Sequence, residues 1–209
     1  LAINRHEINQ VIYFGLAREG NNTVLPQSPL YKADYETRWA AFDLKKANKI
    51  LDDFGLTQRN NLGIRLLPDG RPMEIVVETA GESTEQTDIL ELIHDSWFQV
   101  GIKLFAKPLQ REVFRNRIFA GSTLVSVWSG LENGVPTADL APTELAPTDQ
   151  TQLQWPKWGQ FYETGGQAGE PPDIPEAKRL LELNSLWVTA SDRREKMKIW
   201  HEMLSVHAD

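Results

Sequence analysis

The chain has 209 residues, 22 Lys and Arg against 29 Asp and Glu, a net charge of -7 and no cysteine. That length can bury a real core as one large domain or two small ones, while the acidic balance and the lack of a basic run exclude nucleic acid and anionic membrane as natural partners. Without cysteine there is neither a disulfide framework nor a thiolate metal site, and no stretch approaches the roughly 18 apolar residues of a membrane span.

The chain opens on "LAINRHEINQVIYFGLA", with no initiator Met, basic leader or apolar signal core. Ile3, Ile8, Val11 and Ile12 recur near helical spacing and Gly15 stands as terminator. The far end, "SDRREKMKIWHEMLSVHAD", carries an apolar face of Trp200, Met203 and Leu204 without a closing cap. Both ends read as cut, so the expectation is a segment of a longer protein whose export signals, if any, lie upstream.

"NNTVLPQSPLYKADYET" is Pro-rich and polar and predicts an extended surface connection. "AFDLKKANKILDDFG" predicts a helix capped by Asp43, with Leu44, Ala47, Ile50 and Leu51 on one face and Gly55 beyond its end. Pro68, Asp69 and Gly70 form a turn before a strand from Met73 to Thr79. Ser83 with Gln86 resembles a capping box ahead of a helix faced by Ile89, Leu92, Ile93, Trp97 and Val100, ended by Gly101. "GIKLFAK" then reads as a strand, "QREVFRNRIFA" as a short basic helix and "TLVSVW" as another strand. This alternation predicts an α/β architecture with an open mixed sheet flanked by helices.

From Ser129 to Pro172 no period is visible, and the segment reads as a long loop rich in aromatic residues, held by Trp155, Trp158, Phe161 and Tyr162 rather than disordered. Asp173, with Pro175 in the first turn, opens a helix faced by Ala177, Leu180, Leu181 and Trp187, and Ser191 caps the last one. Trp97, Trp187 and Trp200 lie on apolar helical stripes and read as core; Trp39 has no assignable place.

The ordered series "LAINRHEINQVIYFGLA", "AFDLKKANKILDDFG", "GIRLLPDGRPMEIVVET", "LIHDSWFQVGIKL" and "TLVSVWSG" resembles the extracellular solute-binding proteins of family 5, the oligopeptide- and dipeptide-binding group of ABC importers. The family's helix "A-I-D-R-x-x-I" has Asn4 here in place of Asp, and its "Y-D-x-x-K-A" helix has Phe42 in place of Tyr. The resemblance covers roughly residues 1 to 130; past Asp139 only the plan of a long loop and two helices is shared. It implies a periplasmic-binding-protein-like fold (type II, cluster C), with residues 1–209 forming a single lobe, the second of two. The N-terminal lobe would be absent. It further implies a peptide or related small solute as ligand, a membrane permease as partner, a periplasmic or extracytoplasmic location, and neither cofactor nor catalysis.

Ligands of open α/β sheets gather beyond the carboxyl ends of strands, which directs attention to Trp128. In peptide-binding members the matching segment runs Trp-x-x-Asp, the indole lying against the ligand and the carboxylate pairing with its α-ammonium. This chain reads Trp128, Ser129, Gly130, Leu131, Glu132, Asn133, so Leu131 stands at the anchoring position and Glu132 is the nearest carboxylate. Either Glu132 serves through a one-residue shift, or the ligand lacks a free amine, as an oligosaccharide does. Trp155 and Trp158 are candidate sugar-stacking residues, although packing of the loop is the plainer reading of both, as a solvated charge is for Glu132.

Enzyme readings find little support. His6, His94, His201 and His207 never stand four apart as a helical zinc pair, and His201 and His207 point to different sides of one helix. Glu132, Asp139 and Glu144 could supply the carboxylates of a carbohydrate-active hydrolase, but no activating pattern surrounds them. "GGQAG" at 165–169 follows no strand and precedes no Lys, so it reads as a flexible loop rather than a phosphate cradle.

Overall fold

The computed structural model describes residues 1–209, which divide into two compact units. The first comprises Leu1–Gly20, Trp39–Phe114 and Thr123–Val127; the second comprises Asn21–Arg38, Arg115–Ser122 and Trp128–Asp209.

The first unit is built on β1 (Glu74–Thr79), β2 (Lys103–Pro108) and β3 (Val125–Ser126), in the order β2-β1-β3 with every pairing parallel. Antiparallel pairing is confined to two isolated bridges, Arg59 with Arg65 and Leu66 with Pro72. Being central, β1 is covered on both faces from Val77 to Thr79, which suits its β-branched run. The helix between β1 and β2, α4 (Thr84–Gln99), packs on β2, and Val77, Leu90 and Leu104 form the centre of the core beneath it. Ser83 Oγ accepts the Glu85 N–H, and Gly101 at φ 83° turns the chain into β2. The segment "TLVSVW" yields only two paired residues, because β3 ends where Val127 N–H reaches Glu78 O at 3.0 Å.

Two further helices belong to this unit. Asn4 Oδ1 accepts the Glu7 N–H and caps α1 (Arg5–Tyr13), and Phe14 and Gly15 both turn left-handed at its end. Asp43 caps α3 (Leu44–Asp53) through the Lys46 N–H, with Gly55 at φ 84° beyond it. Trp39 has a positive φ of 61° and lies under Lys46 Nζ, 4.4 Å from the ring centroid.

At the heart of this unit Arg65 is 1% exposed. Its guanidinium donates to Val100 O at 2.7 Å, Asp52 Oδ1 at 2.6 Å, Asn48 Oδ1 at 2.8 Å and Leu56 O. A Cβ at position 101 would fall 2.7 Å from Arg65 Cγ, so Gly101 is required by space as well as by backbone conformation.

The helix α5 (Arg111–Phe119) begins in the first unit and ends in the second, with Phe114 and Ile118 buried. The second unit rests on α7 (Pro175–Thr189) and α8 (Arg193–Ala208), which pack on each other, with the short α2 (Ala33–Thr37) against α8. Leu180, Leu183, Trp200, Met203 and Leu204 join Val24, Leu30 and Tyr35 in one core. Trp200 is buried and Trp187 half-buried, their Nε1 groups donating to Leu140 O at 2.9 Å and Ala138 O at 2.8 Å.

Several expectations are corrected here. The stretch "NNTVLPQSPLYKADYET" is no surface connection: its Val24, Leu30 and Tyr35 enter the core without helical or strand spacing, and buried Ser28 donates to Pro136 O at 2.7 Å. Ser129 to Pro172 is not a structureless loop either. It holds a 3-10 turn at Thr143–Leu145 and a helix, α6 (Pro156–Glu163), where Pro156 at the first position pre-sets the helical φ. Ile174, not Asp173, precedes α7, for Pro175 itself starts the helix. The cap of α8 is Asp192, whose side chain accepts the Glu195 N–H, while Ser191 N–H returns to Glu195 Oε2. No helix is long and apolar enough to cross a membrane.

Candidate functional site

The second unit contains an open cavity of about 850 Å³, within the size range of small-molecule sites. Trp128 is the first residue of that unit after β3, and it lines the cavity while remaining 41% exposed. Ser129, Gly130, Leu131 and Glu132 follow it along the wall. Leu131 also packs on the hydrophobic core, as suits an apolar residue.

This segment is held by a residue far away in sequence. Asn22 Oδ1 accepts the Leu131 N–H at 3.2 Å, and a Cβ at position 130 would strike that same oxygen, so glycine lets the two stretches of chain approach. Leu25 N–H adds a bond to Gly134 O at 2.6 Å. Asn133 lies outside the cavity: it is exposed and its Oδ1 accepts the Val135 N–H at 3.0 Å, closing a turn.

A second wall comes from residues 143–154, and one side chain shapes it. Gln152 Oε1 accepts from Thr148 N–H at 3.1 Å, Asp149 N–H at 3.2 Å and Trp155 Nε1 at 2.8 Å, while its Nε2 donates to Thr143 O at 2.8 Å. Trp155 is half-buried, packed on the core with its ring 5.7 Å from that of His207. Trp158 is half-buried within α6. Neither lines the cavity, whereas Tyr162 of α6 does.

The floor is furnished by Asn184 of α7 and by Leu204, His207 and Ala208 of α8. His207 Nε2 lies 2.9 Å from Leu145 O, so that nitrogen carries the hydrogen. Its edge is open, yet crowding by protein around the ring holds its pKa below the ordinary 6.5, against the opposing effect of the bond to Leu145. On the other side of α8, His201 pairs with the Tyr35 hydroxyl at 3.1 Å. No group of three or more His, Asp or Glu side chains is placed to hold a metal ion.

Of the residues singled out in the sequence, Trp128, Ser129, Gly130, Leu131 and Glu132 share this cavity wall; Asn22, Thr23, Gln152, Asn184 and His207 also line it and were not singled out as site residues. Only the Asn21-Asn22 pair, a turn signal in a polar stretch, carries a local trace in the chain; the rest reach the cavity through tertiary packing.

A three-stranded parallel sheet flanked by helices, followed along the chain by a polar cavity with an exposed indole, defines the class as one lobe-type α/β fold of binding proteins. Residues 1–152 match the family described as bacterial extracellular solute-binding proteins, family 5, middle, and the chain belongs to that family. No curated protein matches it. Among solved structures, an oligopeptide-binding protein OppA superposes with a TM-score of 0.84 at 26% identity, over 99% of this chain and 34% of that one. The periplasmic binding protein MelB of Agrobacterium fabrum C58, in complex with stachyose, matches with a TM-score of 0.75 at 16% identity, over 99% and 30%. The oligopeptide-binding protein of Thermus thermophilus, complexed with a pentapeptide, matches with a TM-score of 0.69 at 17% identity, over 99% and 34%. The chain thus spans about a third of the length of the structures it resembles.

Proposed function

We propose that this chain forms part of the substrate-binding component of an ABC importer, capturing oligopeptides or related small solutes outside the cytoplasm for delivery to a membrane permease. Residues 1–209 contribute the second of two lobes, and closure of the lobes about the ligand selects the transport-competent form. It acts by binding, not catalysis. The observation that carries this reading is the 850 Å³ polar cavity that follows β3 along the chain, with Trp128 exposed in its wall, in a chain of this family.

An oligosaccharide is the second reading, favoured by the likeness to the stachyose-bound MelB fold and by an indole face suited to a sugar ring. Denaturing mass spectrometry of the longest native form, purified from its source, identifies the compound that leaves with it. Trp128→Ala is expected to weaken binding of that compound at least tenfold without shifting the melting temperature by more than about 2 °C. Saturable turnover of a peptide or oligosaccharide panel would replace this reading with the hydrolase one.

A further inference from the structure

One face of the sheet in the first unit carries an uncovered apolar row. α4 packs on β2, and its Ile93 and Trp97 join Ile75, Val77, Leu104 and Ala106 in one apolar cluster. The residues between those strand positions point the other way. Register sets them in three rows across β1 and β2: Glu74 beside Lys103, Val76 beside Phe105, and Glu78 beside Lys107. The outer rows are ion pairs, with Lys103 Nζ 3.6 Å from Glu74 Oε1 and Lys107 Nζ 3.3 Å from Glu78 Oε1. The middle row is apolar and open to water, Val76 being 42% exposed and Phe105 40%. Parallel sheets occur almost only with both faces covered, so this row calls for a cover.

The placement of charge says which cover fits. Across these two strands both carboxylates stand on β1 and both ammonium groups on β2. Consider a twofold axis running along the strands, above the line between β1 and β2. It carries β1 of one copy over β2 of the other and leaves every residue in its row. Glu74 then meets Lys103 and Val76 meets Phe105, each contact occurring twice. Glu78 is recessed, its side chain 4% exposed, so Glu74 and Lys103, at 42% and 34%, supply the polar contact. A partner bearing charge of one sign would set like charges against one of the two strands.

We infer that this face is an interface between two copies of the chain, packed sheet on sheet about a twofold axis along the strands. The inference goes beyond ligand capture, and none of the six residues lines the cavity. Two short strands from each copy make a small contact, so the association is weak and concentration-dependent.

Sedimentation equilibrium of the 209-residue chain over a rising concentration series tests it. The apparent mass is expected to climb from that of the monomer toward twice that value. Phe105→Gln is expected to raise the concentration of half-association about tenfold, because the axis counts each substitution twice. Val76→Thr, which keeps the branched shape favoured in strands, is expected to act in the same direction and serves should Phe105→Gln fold poorly. Glu74→Lys and Lys103→Glu each set like charges across the axis. Each is expected to stay monomeric alone and to associate with the other when mixed, with melting temperatures within about 2 °C of the parent. A monomer at every concentration overturns the inference and leaves the face to another segment of a longer parent chain. Association unmoved by both apolar substitutions, or charge variants that ignore each other on mixing, overturns it as well.

Discussion

Replacing Arg65 by Met tests whether burial, rather than ion-pair geometry, decides what an arginine contributes here. Arg65 and Arg71 make ion pairs of nearly equal length, 2.6 Å to Asp52 and 2.7 Å to Asp69. Their surroundings differ completely: the Arg65 side chain is 2% exposed and that of Arg71 75%. Losing the Arg65 guanidinium would leave Leu56 O without this donor, at about 1–3 kcal/mol for an unpaired group, while Val100 O and the Asn48 side-chain oxygen keep only Arg59 Nη2, at 3.4 and 2.8 Å. Asp52 is half-exposed and regains water, so the electrostatic part is reduced and the sum does not add fully. A loss of about 3 kcal/mol follows, at the lower end of the range for breaking buried pairs. In a chain of this size that corresponds to a fall in melting temperature of roughly 10 °C. Urea unfolding followed by tryptophan fluorescence measures it. Arg65→Lys, which keeps the charge but loses the planar fork, is expected to recover less than half, and Arg71→Met to change nothing measurable. A loss below about 1 kcal/mol for Arg65→Met would refute the assignment of Arg65 as the organising centre of the first unit.

Three further outcomes are expected. His201 and His207 are both held below the ordinary 6.5, in each case chiefly by burial, with Lys32 adding to the effect at His201. Above about pH 6.5 both are neutral in either state; below it the unfolded chain binds more protons, so stability falls with pH until the folded values are passed. Denaturant midpoints at about pH 7.5 and about pH 5.5 should therefore differ less in His201→Gln/His207→Gln than in the parent. Gly159→Ala should destabilise by about 2 kcal/mol or more, because its Cβ would run into the Asp149 carbonyl, a backbone atom that cannot step aside; circular dichroism on heating reads this. Trp200→Phe removes the donor to Leu140 O and leaves a void in the core, for an expected loss of about 2 kcal/mol by chemical denaturation.

How much was legible depends on whether a feature is local. The cap at Asp43 and the stop at Gly55 are decided within one turn of chain, and both stand as read. The caps of α7 and α8 fell one residue away for different reasons: Pro175 itself starts α7 and leaves the apolar Ile174, without a side-chain cap bond, before it, whereas Asp192 beside Ser191 offers the same capping chemistry and takes the Glu195 N–H. The helix α6 stayed hidden in eight residues interrupted by Gly159, whose lack of a side chain serves a contact with Asp149 and not the helix itself. Val24, Leu30 and Tyr35 carry no period, since each is drawn to the core by α7 and α8 from far along the chain. In the candidate site, Trp128 was readable as the end of a strand. Asn22, which fixes its neighbour Leu131, lies 109 positions away, and no pattern in one sequence joins them.

Gln152 concentrates the shape of the cavity wall in one place. Four bonds that elsewhere would come from a run of paired backbone converge on one terminal amide. The contour of residues 143–155 therefore leans on a single position, whereas Leu153 and Gln154, which border the same space, make no side-chain hydrogen bond and are left free to drift. Evolution can retune what the recess accepts by exchanging those bordering residues without redrawing its outline, whereas a change at 152 would redraft the outline in one step.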